Sequence, residues 1–237
     1  VRIAREPRWS LTVSEAIDLQ KRMASCLSLR GGPRNARLVA GADVAYDPSV
    51  QRCFAAVVVL ERPHLEVVEE VTADATVSFP YVPGLLSFRE GPVIVEAFSK
   101  LKVRPQVVFF DAHGYAHPRR FGLACHIGYL LDIPSVGCAK SVLVGEPQRA
   151  LPEKALSWVW LIDKGERVGA VLRTQTGRRP IYVSPGYRVG FLAAIRLVSE
   201  VLGKFRVPEP TRLADILVER HKRKYLQQRG VRERLTS

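Results

Sequence analysis

The 237-residue chain is predicted to fold as an α/β protein around a mixed central sheet flanked by helices. Three observations carry that expectation. Three apolar, β-rich runs in the first third of the chain are joined by short turns, the pattern of an antiparallel meander. Farther on, apolar runs alternate with segments of helical period, which implies right-handed crossovers and parallel pairing. No Ser-, Gly- or Pro-rich linker and no internal repeat divides the chain, so residues 1–237 read as one domain.

The elements follow in order. Thr12-Val-Ser-Glu15 is a capping-box pattern, and Ala16, Leu19 and Met23 continue it at helical spacing. Residues 38–46 read as a strand interrupted by Asp43. Residues 53–60 form a second strand, too continuously apolar to be half exposed. Residues 65–72 form a third, with Glu along one face. Pro80 and Pro83 around Tyr81 predict a stiff loop. Helical period resumes over 88–101, with Glu90 and Gly91-Pro92 at its start, where Pro is tolerated. Residues 107–110 are a buried strand, 121–131 a helix and 135–140 a short strand ending in Lys140. Further strands are expected at 158–162, 168–172 and 181–183. An apolar helix over 189–202 and a last helix from Pro210 follow. From Arg220 the chain holds seven Lys/Arg against one acid, which reads as a basic tail, on the surface or partly disordered.

Composition narrows the function. A net charge of +13 with pI near 10.0 favours a polyanionic partner, nucleic acid first. Four widely spaced Cys without a C-x-x-C pair look like reduced thiols rather than a disulfide frame or zinc site. No run is long and apolar enough to span a bilayer, and no signal-peptide core precedes the first helix. The expectation is a cytoplasmic monomer with no membrane partner.

The stretch from Val107 to His126 joins three kinds of chemistry. Asp111 directly follows a buried strand, where a carboxylate gains nothing from burial and faces a crevice instead. His113, Gly114, His117 and Pro118 describe a loop, and Arg119 and Arg120 add positive charge. Two readings stay open for this stretch alone: a metal and phosphate site, or a capping Asp beside a solvated basic loop. His113-x-x-x-His117 is not a helical zinc motif, because Gly114 and Pro118 break the helix. Lys140-Ser141 ends like a P-loop but lacks its glycines. Asp43 inside a strand is unusual, since Asp is depleted there. Glu90 and Asp215 each sit near a helix start, where favouring the dipole is the plain explanation. The set says more than its members. The meander and crossover would bring Asp43 and Asp111 onto neighbouring strands, where they repel unless a cation lies between them. Oxygen donors select Mg²⁺ or Mn²⁺, and in a basic protein the matching work is metal-assisted phosphodiester hydrolysis.

Gly41-Ala-Asp-Val-Ala-Tyr46, Pro80-Tyr-Val-Pro-Gly-Leu-Leu-Ser-Phe-Arg-Glu90, Phe110-Asp-Ala-His-Gly-Tyr-Ala-His-Pro-Arg119, Phe121-Gly-Leu-Ala-Cys-His126 and Gly137-Cys-Ala-Lys140 together resemble endonuclease V, the deoxyinosine 3′ endonuclease family. The resemblance runs in order from about residue 12 to about residue 219. It implies a ribonuclease H-like fold and Mg²⁺-dependent nicking, with Mn²⁺ able to substitute. The cut would fall at the second phosphodiester bond 3′ to deoxyinosine, leaving 3′-hydroxyl and 5′-phosphate, in DNA repair. By position, Asp43, Glu90 and Asp111 resemble the catalytic carboxylates that hold the metal, Asp215 a further residue near it, and Lys140 the lysine at the scissile phosphate. Tyr81, in Pro80-Tyr81-Val82-Pro83, resembles the wedge that fills the gap of a flipped base. Gly84, Leu86, Ala112, Gly114, His117, Gly122 and Gly137 resemble positions around that base. Two departures stand out. Ala112 replaces a more usual Gly, which would narrow the pocket or restrict the backbone if φ > 0 were needed. Cys125 replaces a common Ser. The rival expectations are action mainly on inosine-containing RNA, and nucleic-acid binding without catalysis.

Overall fold

The computed structural model describes residues 1–236, with side chains through residue 230. Among the described residues all nine strands join one sheet in the order β3-β2-β1-β4-β5-β9-β8-β7-β6. The meander is β1 (Leu38–Asp47), β2 (Arg52–Glu61) and β3 (Glu66–Thr76), paired antiparallel. Helix α1 (Val13–Ala24) precedes it. Its capping box closes both ways, with Thr12 N–H on Glu15 at 2.8 Å and Glu15 N–H on the Thr12 hydroxyl at 3.3 Å.

Helix α2 (Leu86–Lys100) carries the chain back so that β4 (Val107–Phe110) pairs parallel with β1. Helix α3 (Leu123–Leu131) does the same for β5 (Ser135–Ala139), parallel with β4. The sheet then turns antiparallel through β6 (Glu146–Pro147), β7 (Trp158–Asp163), β8 (Glu166–Leu172) and β9 (Ile181–Pro185), with β9 against β5. Helices α4 (Phe191–Ser199) and α5 (Glu209–Thr236) complete the chain. This is the expected mixed sheet of a ribonuclease H-like fold.

Strand periodicity places the core on both faces. Ala40, Ala42, Val108 and Phe110 point towards Ile94 and Phe98 of α2 and Ile127 and Leu131 of α3. Val39, Val107 and Phe109 point towards Leu197 and Val198 of α4 and Leu217 and Val218 of α5. Strand β2 is buried on both faces, which explains its unbroken apolar run.

Three expectations need correction. Helix α2 begins at Leu86, not at residue 88, so Pro92 lies inside it and Glu90 is past its first turn. Leu85 and Phe88 bury against Phe79 and Trp9, and this packing outweighs the interior proline. Glu90 is therefore not explained as a dipole-capping residue. Helix α4 starts at Phe191, behind Gly190 at its N-cap, and stops at Ser199. The stretch from Arg220, read as a tail, is the second half of α5. Tyr225 and His221 meet Phe54 edge-on and hold that half against β2. Ser237 lies outside the described residues.

Candidate active site

Register puts the acids together. Ala42 pairs with Phe110 across the parallel β1–β4 ladder, so Asp43 and Asp111 are the next residues on neighbouring strands. Glu90 comes down from α2, and all three line a gap of about 10 Å³ between Ala42, Ile94 and Leu123. That is about the room of one water-sized sphere. Burial, then the charge of Asp111, pushes the Asp43 carboxyl up to about 8. Burial, then Asp43, pushes Glu90 up to about 8. Asp215 acts on Asp43 and Lys140 through charge from the exposed face of α5. It reaches this place because α5 crosses β1 at Gly41. A Cβ on Gly41 would stand 2.0 Å from the Pro210 carbonyl oxygen, so no other residue allows so close a crossing.

Lys140, one residue past β5, makes an ion pair with Asp111. Although its burial pulls the other way, that bond holds the ammonium above its ordinary range. Lys140 also acts on Asp43 and Arg89 on Glu90, but burial and the neighbouring carboxylates outweigh both cations. Among the described residues no three His, Cys, Asp or Glu side chains already close into a metal cage. The donor chemistry nevertheless fits a hard cation. The donors are oxygens, they crowd one gap, and their mutual repulsion is what a divalent ion would relieve.

A cavity of about 340 Å³ opens beside the acids. Tyr81, Val82, Pro83, Gly84, Leu86, Ala112, His117 and Gly122 line it, together with Asp111 and Lys140. Tyr81 stands at the rim, 70% exposed. Pro80 is exposed beside it, next to buried Phe79, and does not line the cavity. Gly114 and Gly137 do not line it either. They let backbones pass beneath it: a Cβ on Gly114 would meet the Pro185 carbonyl at 2.1 Å, and one on Gly137 the Ala112 carbonyl at 2.5 Å. Ala112 is not among the residues with positive φ, so its methyl narrows the cavity without straining the loop. Cys125 is buried, its thiol 3.7 Å from the Pro185 carbonyl.

His117 serves the wall more than the interior. Its Nε2 lies 2.9 Å from the Gly84 carbonyl, and its Nδ1 accepts the Arg119 N–H at 3.2 Å. That pattern selects the neutral tautomer with the proton on Nε2. Burial, then the Arg119 charge, lowers its pKa to about 4. The Gly84 carbonyl also accepts from Gln20 at 3.0 Å and from Arg119 at 2.7 Å. Gly84 is thus clamped by three donors, and its carbonyl is not available to read a ligand.

Sequence reasoning missed part of the lining. Gln20 and Ser87 hide in helices whose periodicity marks them as ordinary polar positions. Ser141, Val142 and Leu143 follow Lys140 and also line the cavity. His113 lines the cavity with Nδ1 buried and unpartnered. Its place two residues after Asp111 was the one available signal. Helices α2 and α3 both begin at this cavity, behind Leu85 and Gly122, and neither has a side-chain cap. Phe88 N–H is taken by the Leu85 carbonyl at 3.0 Å and Ala124 N–H by the His113 carbonyl at 3.1 Å, so the first-turn N–H groups left at the cavity are those of Leu86, Ser87 and Leu123, which line it.

The family model for endonuclease V matches residues 21–216. The chain belongs to the endonuclease V family. Endonuclease V of Gloeobacter violaceus is 47% identical over 208 residues, covering 87% of this chain and 85% of the relative. The crystal structure of endonuclease V from Streptomyces avermitilis superposes with a TM-score of 0.88 at 39% identity, covering 95% of this chain and all of the other. Endonuclease V of Ciona intestinalis, solved with a 24mer DNA containing an inosine followed by a ribo-adenosine, gives 0.78 at 24% identity, covering 90% and 98%. Its likeness establishes the shared fold. As an endonuclease V the enzyme is a metal-dependent nuclease that hydrolyses phosphodiester bonds, which removes the expectation of a non-catalytic binder. Residues 217–237 lie beyond the matched segment. No helix among the described residues is long and apolar enough to cross a membrane.

Proposed function

We propose that the enzyme recognises deoxyinosine in DNA and cuts the second phosphodiester bond on its 3′ side, leaving 3′-hydroxyl and 5′-phosphate, as a step of DNA repair. The observation that carries this reading is the adjacency of a base-sized cavity to the acidic gap, with Asp111 and Lys140 lining the first and Asp111 the second. A family relative of the same fold binds inosine-containing DNA.

A base within a duplex must leave the stack to enter such a cavity. Tyr81, stiffened between Pro80 and Pro83, fills the gap it leaves. Hypoxanthine presents a carbonyl acceptor where adenine presents an amino donor. The N–H groups of Leu86, Ser87 and Leu123, which line the cavity at the starts of α2 and α3, would satisfy the first and leave the second unpaired, which is the basis of discrimination. Ala112, His117, Gly122 and Leu86 shape the walls. Gly114 and Gly137 hold the loop beneath them.

Asp43, Glu90 and Asp111 would hold the metal, with Asp215 beside it; Mg²⁺ suits the oxygen donors, and Mn²⁺ can substitute. When bound, such an ion acidifies a water and neutralises phosphate charge. Lys140 places a second positive charge at the phosphate, and Asp111 orients that ammonium. The proposed setting is cytoplasmic, consistent with four free cysteines, and the proposed active form is a monomer of one domain.

The test is cleavage of an end-labelled strand with one inosine, paired and unpaired, with Mg²⁺, with Mn²⁺ and with EDTA. The expected product is a single nick one nucleotide beyond the lesion, lost with EDTA and lost in Asp43→Asn and Asp111→Asn. A matched RNA strand cut faster than DNA would transfer the reading to inosine-containing RNA. Near wild-type cutting by either variant would remove these residues from the metal site.

A further inference from the structure

Helix α5 turns one face to the sheet and the other outward. Ala214, Leu217 and Val218 are buried, and His221 and Tyr225 pack on Phe54. The outward positions are Asp215, Ile216, Arg220, Arg223, Lys224 and Gln227, all exposed. Arg220, Arg223, Lys224 and Gln227 have the spacing i, i+3, i+4, i+7, which makes one stripe along a helix. The helix that carries the stripe starts beside the catalytic carboxylates, because Pro210 lies on Gly41 of β1, two residues before Asp43; the stripe itself opens ten residues further on, at Arg220. From Arg220 to Gln227 the helix rises about 10 Å, which matches roughly three nucleotides of one strand at about 3.4 Å each.

The local acids do not cancel the stripe. Arg220 pairs with Glu70 at 3.0 Å, with both side chains largely exposed. Such a pair contributes little and exchanges readily for a phosphate. Glu219 pairs with Lys222, off the stripe, at 2.6 Å. Arg223 donates to the Glu219 carbonyl at 3.3 Å and keeps the rest of its guanidinium outward. Beyond the stripe the sequence adds Arg229, Arg232 and Arg234 against Glu233.

We infer that the outer face of α5, through Arg220, Arg223, Lys224 and Gln227, is a rail for the phosphate backbone of the nucleic-acid strand on one side of the scissile bond. The stripe reads no sequence, since it offers cations and an amide but no cavity for a base. It lengthens the footprint and orients the strand relative to Asp43 and Asp111. The inference rests on the proposed nuclease reading for its partner and adds where that partner lies.

The test uses the full chain carrying Arg223→Gln and Lys224→Gln, checked for wild-type melting. Binding is measured in EDTA on a duplex extending about ten base pairs on both sides of one inosine, and on duplexes trimmed to about two on either side, as a function of salt. Wild type should lose affinity on trimming one particular flank. The double variant should bind the long duplex about tenfold more weakly, with a salt slope flatter by about 1.8, the value for two phosphate contacts. It should be indifferent to trimming that flank, and its single-turnover nicking rate at saturation should equal wild type. An unchanged salt slope overturns the rail, as does an equal loss on all three duplexes. So does a loss of binding to phosphatidylserine vesicles with DNA binding intact, which would make the stripe a membrane contact. If wild type fails to nick inosine, the reading of function fails, while the slope on undamaged DNA still decides the rail.

Discussion

At the scale of single residues, the metal-free site resists ionisation. Asp43 and Glu90 both have folded pKa values near 8, raised first by burial and then by neighbouring carboxylates. A raised carboxyl pKa means that the folded state holds its proton longer than the unfolded chain. The stability it contributes is fully present below about pH 4 and is lost as pH rises through about 8. Metal-free enzyme should therefore melt at lower temperature at pH 8.5 than at pH 5. Glu90→Gln should recover roughly 1–3 kcal/mol at the higher pH and little at the lower, or about 2–4 °C in Tm per kcal/mol. Melting curves at the two pH values check this, and equal shifts at both would refute the charge account. Tyr81 makes the opposite kind of prediction, because it touches no acid. Tyr81→Ala should lose stacking worth roughly 1–3 kcal/mol, about tenfold or more in inosine preference. The loss should be larger on a paired strand than on a single strand, which needs no wedge. Single-turnover nicking of both substrates separates a wedge from an ordinary surface aromatic, for which neither rate would change.

At the scale of elements, close approach decides which side chains meet. Helix α5 reaches the acids only because Gly41 lets Pro210 lie on β1. Gly41→Ala should push the helix away, destabilise the fold by about 1–3 kcal/mol through overpacking, and move Asp215 from its neighbours. Urea titration gives the first effect. The second should appear as weaker metal binding by calorimetry, with Asp215→Asn as the control that leaves the helix in place. A variant with wild-type stability and metal affinity would show that α5 adapts around the methyl. The clamp on Gly84 works in the same way: Gln20, His117 and Arg119 come from two separate segments and fix the loop behind Tyr81.

At the scale of the whole molecule, a net charge of +13 accompanies a nest of carboxylates. Positive charge gathers the polyanion, and the acids repel it until a cation is present. Binding to inosine-free duplex should weaken linearly in log salt, at about −0.9 per phosphate contact. A slope steeper than about −3 is expected if the basic residues form a continuous track. A flatter one, measured by fluorescence anisotropy, would mean that the charge is dispersed over faces that never meet DNA together.

The sequence by itself determined the sheet order near the site, the meander and both crossovers, because strand and helix periods differ and turns punctuate them. It also marked Asp43, Glu90, Asp111 and Lys140, since carboxylates at strand ends are costly without a task and the motif blocks are specific. Local signals could not show what depends on distant backbone. They placed Pro92 at a helix start, whereas packing of Phe88 on Phe79 and Trp9 carried the helix past it. They offered Gly114 and Gly137 as positions around the base but gave no sign that the two let strands pass beneath the loop. They gave no sign that Gln20 holds Gly84, because a polar residue on an amphipathic helix has the same period whether it faces water or a buried carbonyl. Tertiary structure alone decided the basic segment after Arg220. Its charge predicted a tail, but Tyr225 and His221 found Phe54, and that contact kept the segment a helix reaching outward from the acids.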